Sequence, residues 1–198
     1  RGYRESFREL RLPNAEEKHI LQGAARDRLD MIHFAAPEET MAIELTRYAG
    51  APPTGRAAYR IELTESGTVE RVVAEVPDPA ASVAFWQEGL GFRAAETCDG
   101  WQLDHPALVP AWRLSLTLVP ATGPTLEPAT VDADGCVLVT ALTTDAAADL
   151  ARLRELGARR ATEVWSERVS QRPLRVAMVE APGGELVELL ELPRERAG

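Results

Sequence analysis

Glu188 is an acid inside the leucine-rich segment GELVELLEL (184–192). The alternation is typical of a β-strand, in which Glu188 shares one face with Leu186, Leu190 and Leu192. Burying an unpaired carboxylate costs free energy. We therefore expect Glu188 either to line a cleft, where it can pair with a cation, or to reach solvent from an edge strand.

Glu44 holds the same place in a second segment of this kind. AAPEETMAIEL (35–45) resembles EAPGGELVEL (180–189), and the two glutamates stand one residue before the final leucine of each. Glu44 shares its strand face with Thr46 and Tyr48. The match indicates that the two segments are copies of one structural unit.

Several chemistries have few candidate residues in this chain. Lys18 is the only lysine, so Schiff-base and P-loop lysine chemistry have almost no candidate. The sequence contains no GxSxG, HExxH or P-loop pattern. Cys98 and Cys136 lack the CxxC spacing of zinc sites, and we interpret them as two reduced thiols.

Composition and charge narrow the classes of partner. The chain has 198 residues, with 22 Lys+Arg against 31 Asp+Glu and a net charge of −9. A negative field repels phosphate backbones, so we expect no nucleic-acid partner. No apolar run approaches the roughly 18 residues of a membrane span. We expect no membrane association and, since no signal peptide is evident, a cytoplasmic location.

The elements that must position these residues occur as a repeat. In each copy a β-rich run is followed by a capping Asp, a helix with an apolar side and a Gly at which the helix can end. Three further strands follow each helix. The two copies begin with VERVVAEVP (69–77) and CVLVTALTT (136–144); their caps are Asp78 and Asp145, and their stops are Gly91 and Gly157.

These patterns predict an α+β fold built from βαβββ modules. Two complete modules, 69–119 and 136–192, make up a domain over 69–198. Residues 1–48 carry only the closing strands of a third module, and 49–68 form a linker with one more strand, AAYRIEL, whose partner the sequence does not reveal. We interpret the N-terminus as trimmed, and expect a longer protein with four modules in tandem.

The opening VAEVPDPAASVAFWQEGLGF and the closing APGGELVELLEL resemble the vicinal oxygen chelate superfamily. This group includes glyoxalase I, extradiol dioxygenases and bleomycin-resistance proteins. The resemblance covers 69–192 well and 1–48 partially. It implies paired modules whose sheets curl into a half-open barrel around a cleft.

The resemblance also implies a divalent metal held by His and Glu from the first and last strands of each module. Of those positions in 69–198, Glu188 alone keeps a family ligand, and His19, His33 and His105 lie elsewhere. The remaining ligand positions of the family fall at Arg71, at Leu138 or Val139, and at Ser115 or Thr117. Arginine and aliphatic side chains cannot bind a divalent cation. We therefore expect no metal within 69–198, while Glu44 keeps a divalent metal open for the full-length protein.

The candidate ligand-binding residues are Arg71, Glu188, Ser115, Thr117 and Trp101. We hypothesise that Arg71 pairs with Glu188 across the cleft, where its guanidinium would replace the charge of the metal. The alternative is that Arg71 lies in solvent at the start of its strand.

Two functions of different class remain open. The first is a glyoxalase- or bleomycin-resistance-like protein that binds a small organic molecule without a metal in 69–198. The second is a metal-dependent enzyme, a lyase, isomerase or dioxygenase, with its site in the other module pair. A third reading is a domain that serves only to pair modules. The exposed strands of an incomplete module favour a homodimer.

Overall fold

The architecture comes from a computed structural model that contains three β-sheets and two short α-helices. Within the described residues, no helix is both long enough and apolar enough to cross a membrane. The structure describes residues 3–24, 26–35, 42–50, 55–65, 67, 69–105, 115–123, 126–169 and 171–192.

The N-terminal sheet has three antiparallel strands in the order β1-β2-β3. A 3-10 helix, Glu16–Leu21, connects the first two strands. The strands are β1 (Arg4–Pro13), β2 (Arg28–Ala35) and β3 (Ile43–Tyr48).

The middle sheet has the order β4-β5-β8-β7-β6, in which β5 and β8 run parallel. A helix, α1 (Pro79–Ala84), follows β5 and continues as a π-helical turn, Phe85–Gly89. The strands are β4 (Arg60–Leu63), β5 (Val69–Val76), β6 (Arg93–Thr97), β7 (Gly100–Asp104) and β8 (Leu116–Pro120).

The last sheet has the order β10-β12-β13-β9, with β11 also paired to β12. Its parallel pair is β13 with β9, and helix α2 (Ala146–Glu155) follows β9. The strands are β9 (Val139–Thr143), β10 (Arg160–Ala161), β11 (Trp165–Val169), β12 (Arg172–Glu180) and β13 (Leu186–Glu191).

Both helices begin and end as the sequence predicts. The carboxylates of Asp78 and Asp145 each accept a hydrogen bond from the backbone N–H three residues later, at 3.1 Å. Gly91 and Gly157 have φ of +75° and +90°, in the left-handed region that glycine adopts without strain. These matching ends fix the same strand-to-helix connection in both modules.

The register of the two parallel pairs aligns the modules residue by residue. Val72 and Val139 hold the same place before the capping aspartates, and they pair with Leu116 and Val187 respectively. It follows that Thr117 corresponds to Glu188, Val73 to Thr140, and Leu118 to Leu189. The prediction of an α+β fold, with paired βαβββ modules in a half-open barrel, is confirmed, and the sheets are not closed.

A buried ion pair fastens the N-terminal sheet to the rest of the molecule. The Arg26 Nε donates to Asp132 Oδ2 at 3.0 Å, and Gly23 N–H donates to the other carboxylate oxygen at 2.7 Å. The side chains of Arg26 and Asp132 are 1% and 0% exposed. The backbone of Val131 also donates to the carbonyl of Leu21, at 3.0 Å. These contacts hold the 3-10 helix against the segment between the two complete modules.

Candidate functional site

Glu188 projects from the middle of β13, beside the first strand of its module. Its side chain lies on the same face as Leu186 and Leu190, as the alternation predicts. The parallel register places Thr140 of β9 directly opposite. The Thr140 hydroxyl donates to Glu188 Oε2 at 2.8 Å, so this carboxylate is oriented by the neighbouring strand.

Glu44 of β3 lies across from Glu188. Glu44 is exposed to solvent, and the Thr46 hydroxyl donates a hydrogen bond to its Oε1 atom at 3.2 Å. The surrounding protein atoms and the negative charge of Glu188 raise the pKa of the Glu44 carboxyl to about 7. The matching acids of two modules are therefore close enough to interact, and we call the space between them the Glu44–Glu188 cleft.

Lys18 brings a positive charge into this cleft from the 3-10 helix. It is 4% exposed, and its Nζ lies 3.8 Å from Glu167 Oε2 of β11. The same ammonium sits 5.6 Å from the centroid of the Trp165 ring, a cation–π geometry. Its charge lowers the pKa of both Glu44 and Glu188, against the larger effect of their burial.

Tyr48 and Gln22 add uncharged polar groups to the cleft. Burial raises the pKa of the Tyr48 hydroxyl, with Glu188 and Glu44 adding to the shift and the Gln22 amide opposing it. The amide oxygen and nitrogen of Gln22 are both removed from solvent without a hydrogen bond of ordinary geometry. Tyr48 and Gln22 thus form a polar pair beside the two carboxylates.

The electrostatics of the cleft favour an incoming cation. Lys18 pairs with Glu167, and its charge also acts on the carboxylates of Glu44 and Glu188. Burial raises the pKa of Glu188, and Glu167 raises it further. Poorly solvated carboxylates of this kind gain more from a bound cation than exposed ones do.

The donor set differs from the metal site that the fold implies. Across the described residues, no three His, Cys, Asp or Glu side chains are grouped so that they could hold a metal ion. The register also places His33 beside Glu44, but its ring stacks on Phe7, with centroids 4.9 Å apart, and its Nδ1 lies 2.5 Å from the Ser6 hydroxyl. Two carboxylates beside a lysine do not fit a divalent cation as these residues stand.

Arg71 does not pair with Glu188, so that hypothesis is corrected. The antiparallel register of β4 and β5 places Glu62 opposite Arg71. The guanidinium donates to Glu62 Oε2 from Nε at 2.8 Å and from a terminal nitrogen at 2.5 Å. The local hairpin neutralises Arg71, and the cation that influences Glu188 is Lys18.

The other predicted residues lie in the middle sheet. Thr117 is 3% exposed and stands opposite Val73, while the Ser115 carbonyl accepts from Val72 N–H at 2.9 Å. Trp101 pairs with Leu118, so it occupies the face opposite to that of Thr117. The structure does not bring these three residues to Glu188 and Glu44.

Sequence reasoning missed five residues of the cleft: Lys18, Gln22, Thr140, Trp165 and Glu167. The family pattern pointed to Leu138 or Val139 on β9, whereas the register places Thr140 beside Glu188. Trp165 and Glu167 share a face of β11 with a period of two, which was a usable signal. Lys18 gave no signal beyond its being unique in the sequence.

Comparisons with known proteins agree with this fold. A family model described as a glyoxalase-like domain matches residues 71–190. A glyoxalase I variant from Zea mays is 15% identical, with a TM-score of 0.51, over 93% of this chain and 84% of that one. TnmS3, an antibiotic binding protein from a Streptomyces species, is 24% identical with a TM-score of 0.41, over 61% of this chain and 92% of that one. None of the curated proteins matches the sequence.

Proposed function

Because the chain belongs to the glyoxalase-like domain family, we propose that it binds a small organic molecule in the Glu44–Glu188 cleft. The ligand class that fits this cleft is an organic amine with an apolar or aromatic body. Sequestration of such a molecule needs no metal in 69–198. The observation that carries the proposal is the pair of matching carboxylates, Glu44 and Glu188, facing one cleft with their pKa values raised.

The chemistry of recognition follows from the charges. Lys18 offsets one of the three carboxylates, and the remaining negative charge is held where water solvates it poorly. A ligand ammonium would form a charge-assisted hydrogen bond with the Glu188 carboxylate and favour its ionised form. The aromatic rings of Trp165 and Tyr48 would contact the body of the ligand.

The proposal is tested with three probes of similar shape and different charge: 2-phenylethylamine, 2-phenylethanol and phenylacetate. Isothermal titration at pH 8 should show the amine binding at least about tenfold more tightly than the alcohol, with the carboxylate weakest. Glu188→Gln should abolish the preference for the amine, whereas Arg71→Gln, on the middle sheet, should leave it unchanged. Equal affinity for the three probes would contradict the proposal.

The metal-dependent enzyme is the second candidate: Glu44 and Glu188 are the family glutamates, but a metal there would need further ligands from outside the described residues. Titration of the purified protein with Zn²⁺, Ni²⁺, Mn²⁺ or Fe²⁺ separates the two. Stoichiometric binding that disappears in both Glu44→Gln and Glu188→Gln would favour the enzyme. Its absence, together with amine binding, favours sequestration.

A further inference from the structure

A hollow lined by arginines lies on the N-terminal sheet, on the face opposite to Glu44. Alternation along β3 places Arg47 on that face, and the register pairs it with Asp30 of β2. The residues that line the hollow are Arg11, Arg28, Leu29, Asp30, Arg47 and Ala49. Its volume is about 660 Å³, which lies in the range of sites for small organic molecules.

The charge of this hollow is opposite to the charge of the chain. Three guanidinium groups and one carboxylate line it, which leaves a surplus of two positive charges. The whole chain has a net charge of −9, so the surplus is a local concentration. The planar fork of arginine donors matches the oxygens of phosphate and carboxylate groups. An anion with two negative charges therefore complements the hollow.

Asp30 positions two of the arginines. Its Oδ1 accepts a hydrogen bond from the backbone N–H of Arg11 at 2.9 Å. Its Oδ2 accepts from Arg47, from Nε at 3.2 Å and also from a terminal nitrogen. These contacts lower the pKa of the Asp30 carboxyl, so it is ionised at neutral pH. A guanidinium has five N–H donors, so Arg47 keeps donors for a ligand while Asp30 holds it in place.

Arg11 has a backbone conformation that side chains other than glycine rarely adopt. Its φ is +58°, and the register of β1 with β2 shifts between Glu9 and Leu12, so Arg11 lies in a β-bulge. The Arg28 guanidinium donates to the Arg11 carbonyl at 3.1 Å, a contact that orients Arg28 without neutralising it. Bulges redirect side chains, and strained backbone is concentrated at binding sites. The bulge therefore brings a third arginine to the hollow.

We propose that this hollow binds the dianion of an organic phosphate monoester through Arg11, Arg28 and Arg47. Such a phosphate carries about two negative charges above pH 7, which equals the surplus of the hollow. It presents both charges on one group that three arginines can contact together, whereas a dicarboxylate separates them. The remaining volume takes the organic body, and Asp30 is a positioning residue. The site is separate from the Glu44–Glu188 cleft and does not depend on the function proposed for it.

Three probes with the same phenyl body and different anionic groups test the ligand class: phenyl phosphate, phenyl sulfate and phenylmalonate. In isothermal titration at pH 8 and low salt, phenyl phosphate should bind at least about tenfold more tightly than the singly charged sulfate. It should also bind more tightly than phenylmalonate, a dianion with separated charges. Equal affinity for the phosphate and the sulfate, or tighter binding of phenylmalonate, would overturn the proposal. Tighter binding of a short oligothymidylate would also overturn it, because the surface would then recognise a nucleic-acid backbone.

Substitutions test the location of the site. Arg47→Gln should weaken binding of phenyl phosphate at least about fivefold, and because this side chain is 82% exposed the variant should fold normally. Arg93→Gln, at an exposed arginine of β6, is the matched control and should leave the affinity within about twofold.

Arg11→Gly separates binding from folding. Glycine adopts a positive φ without strain, so this variant should be at least as stable to urea as the parent protein and yet bind phenyl phosphate at least about fivefold more weakly. Glu188→Gln should leave phosphate binding unchanged, which keeps this result independent of amine binding. Parent-like affinity in both Arg47→Gln and Arg11→Gly would overturn the proposal.

Discussion

The last module and the middle module have the same strand order but treat charge differently at corresponding positions. Glu188 in β13 corresponds to Thr117 in β8. In the middle module the charged side chain Arg71 is neutralised within its own hairpin by Glu62. In the last module Glu188 depends on Lys18, from another part of the chain, and its pKa stays raised. The last module therefore keeps a carboxylate whose charge is not fully offset, and a bound cation would gain most there.

The largest expected effect comes from removing the cation of the cleft. Lys18→Met should lower the free energy of unfolding by about 2 kcal/mol, because buried carboxylates lose their nearby positive charge. Arg71→Met is the matched variant; its pair with Glu62 is partly exposed, so we expect a loss below about 1 kcal/mol. Urea unfolding at pH 7 measures both. Equal losses of unfolding free energy in the two variants would show that Lys18 and Arg71 do not differ in this way.

Ligand affinity should separate the corresponding residues. Glu188→Gln should weaken binding of 2-phenylethylamine about tenfold, through loss of a charged hydrogen-bond acceptor. Thr117→Val, at the corresponding position of the middle module, should leave the affinity within about twofold of the parent protein. Titration calorimetry gives both values, and an equal loss for the two variants would place the ligand elsewhere.

A smaller effect is expected at Thr140. Thr140→Val removes the hydroxyl that orients Glu188, which should weaken amine binding by about threefold and raise the pKa of Glu188. Thr140→Ser keeps the hydroxyl and should behave as the parent protein does. An NMR titration of the Glu188 side chain reports the change directly. A pKa unaffected by Thr140→Val would show that the hydrogen bond is not important in solution.

The Glu44–Glu188 cleft and the middle module should also differ in the sign of their pH dependence. The raised pKa of Glu44 means that the folded state holds more protons than the unfolded state between pH 4.5 and about 7, so its contribution to stability falls as pH rises through that window. Arg71 and Arg60 lower the pKa of Glu62, so the stability from Glu62 is lost as pH falls below about 4.5.

Chemical denaturation from pH 3 to 8 checks both signs. Glu44→Gln should flatten the decline between pH 4.5 and 7 and leave the acid side unchanged. Glu62→Gln should flatten the acid side alone. If Glu44→Gln leaves the decline in stability unaltered, the Glu44 carboxyl is solvated normally and its pKa is not raised.

The module pattern could be predicted from the sequence because it depends on local rules. Aspartate caps and glycine stops act within one turn of helix, so Asp78 and Gly157 marked the helices correctly. The place of Glu188 on its strand followed from alternation, which needs no knowledge of neighbours.

The site itself depended on pairings that alternation cannot supply. The strand containing Glu62 was predicted without a partner, so its bond with Arg71 could not be foreseen. Likewise, a shift of one residue in the β9–β13 register decides whether Val139 or Thr140 lies beside Glu188. Lys18 reaches the cleft through the Arg26–Asp132 ion pair and a 3-10 helix, which are long-range contacts.

That a single lysine lies at the centre of the cleft gives the molecule an internal probe. Biosynthetic incorporation of ¹³C-lysine would label this one side chain and so produce one assignable ε resonance. Its chemical shift would follow protonation and occupancy of the cleft without any mutation.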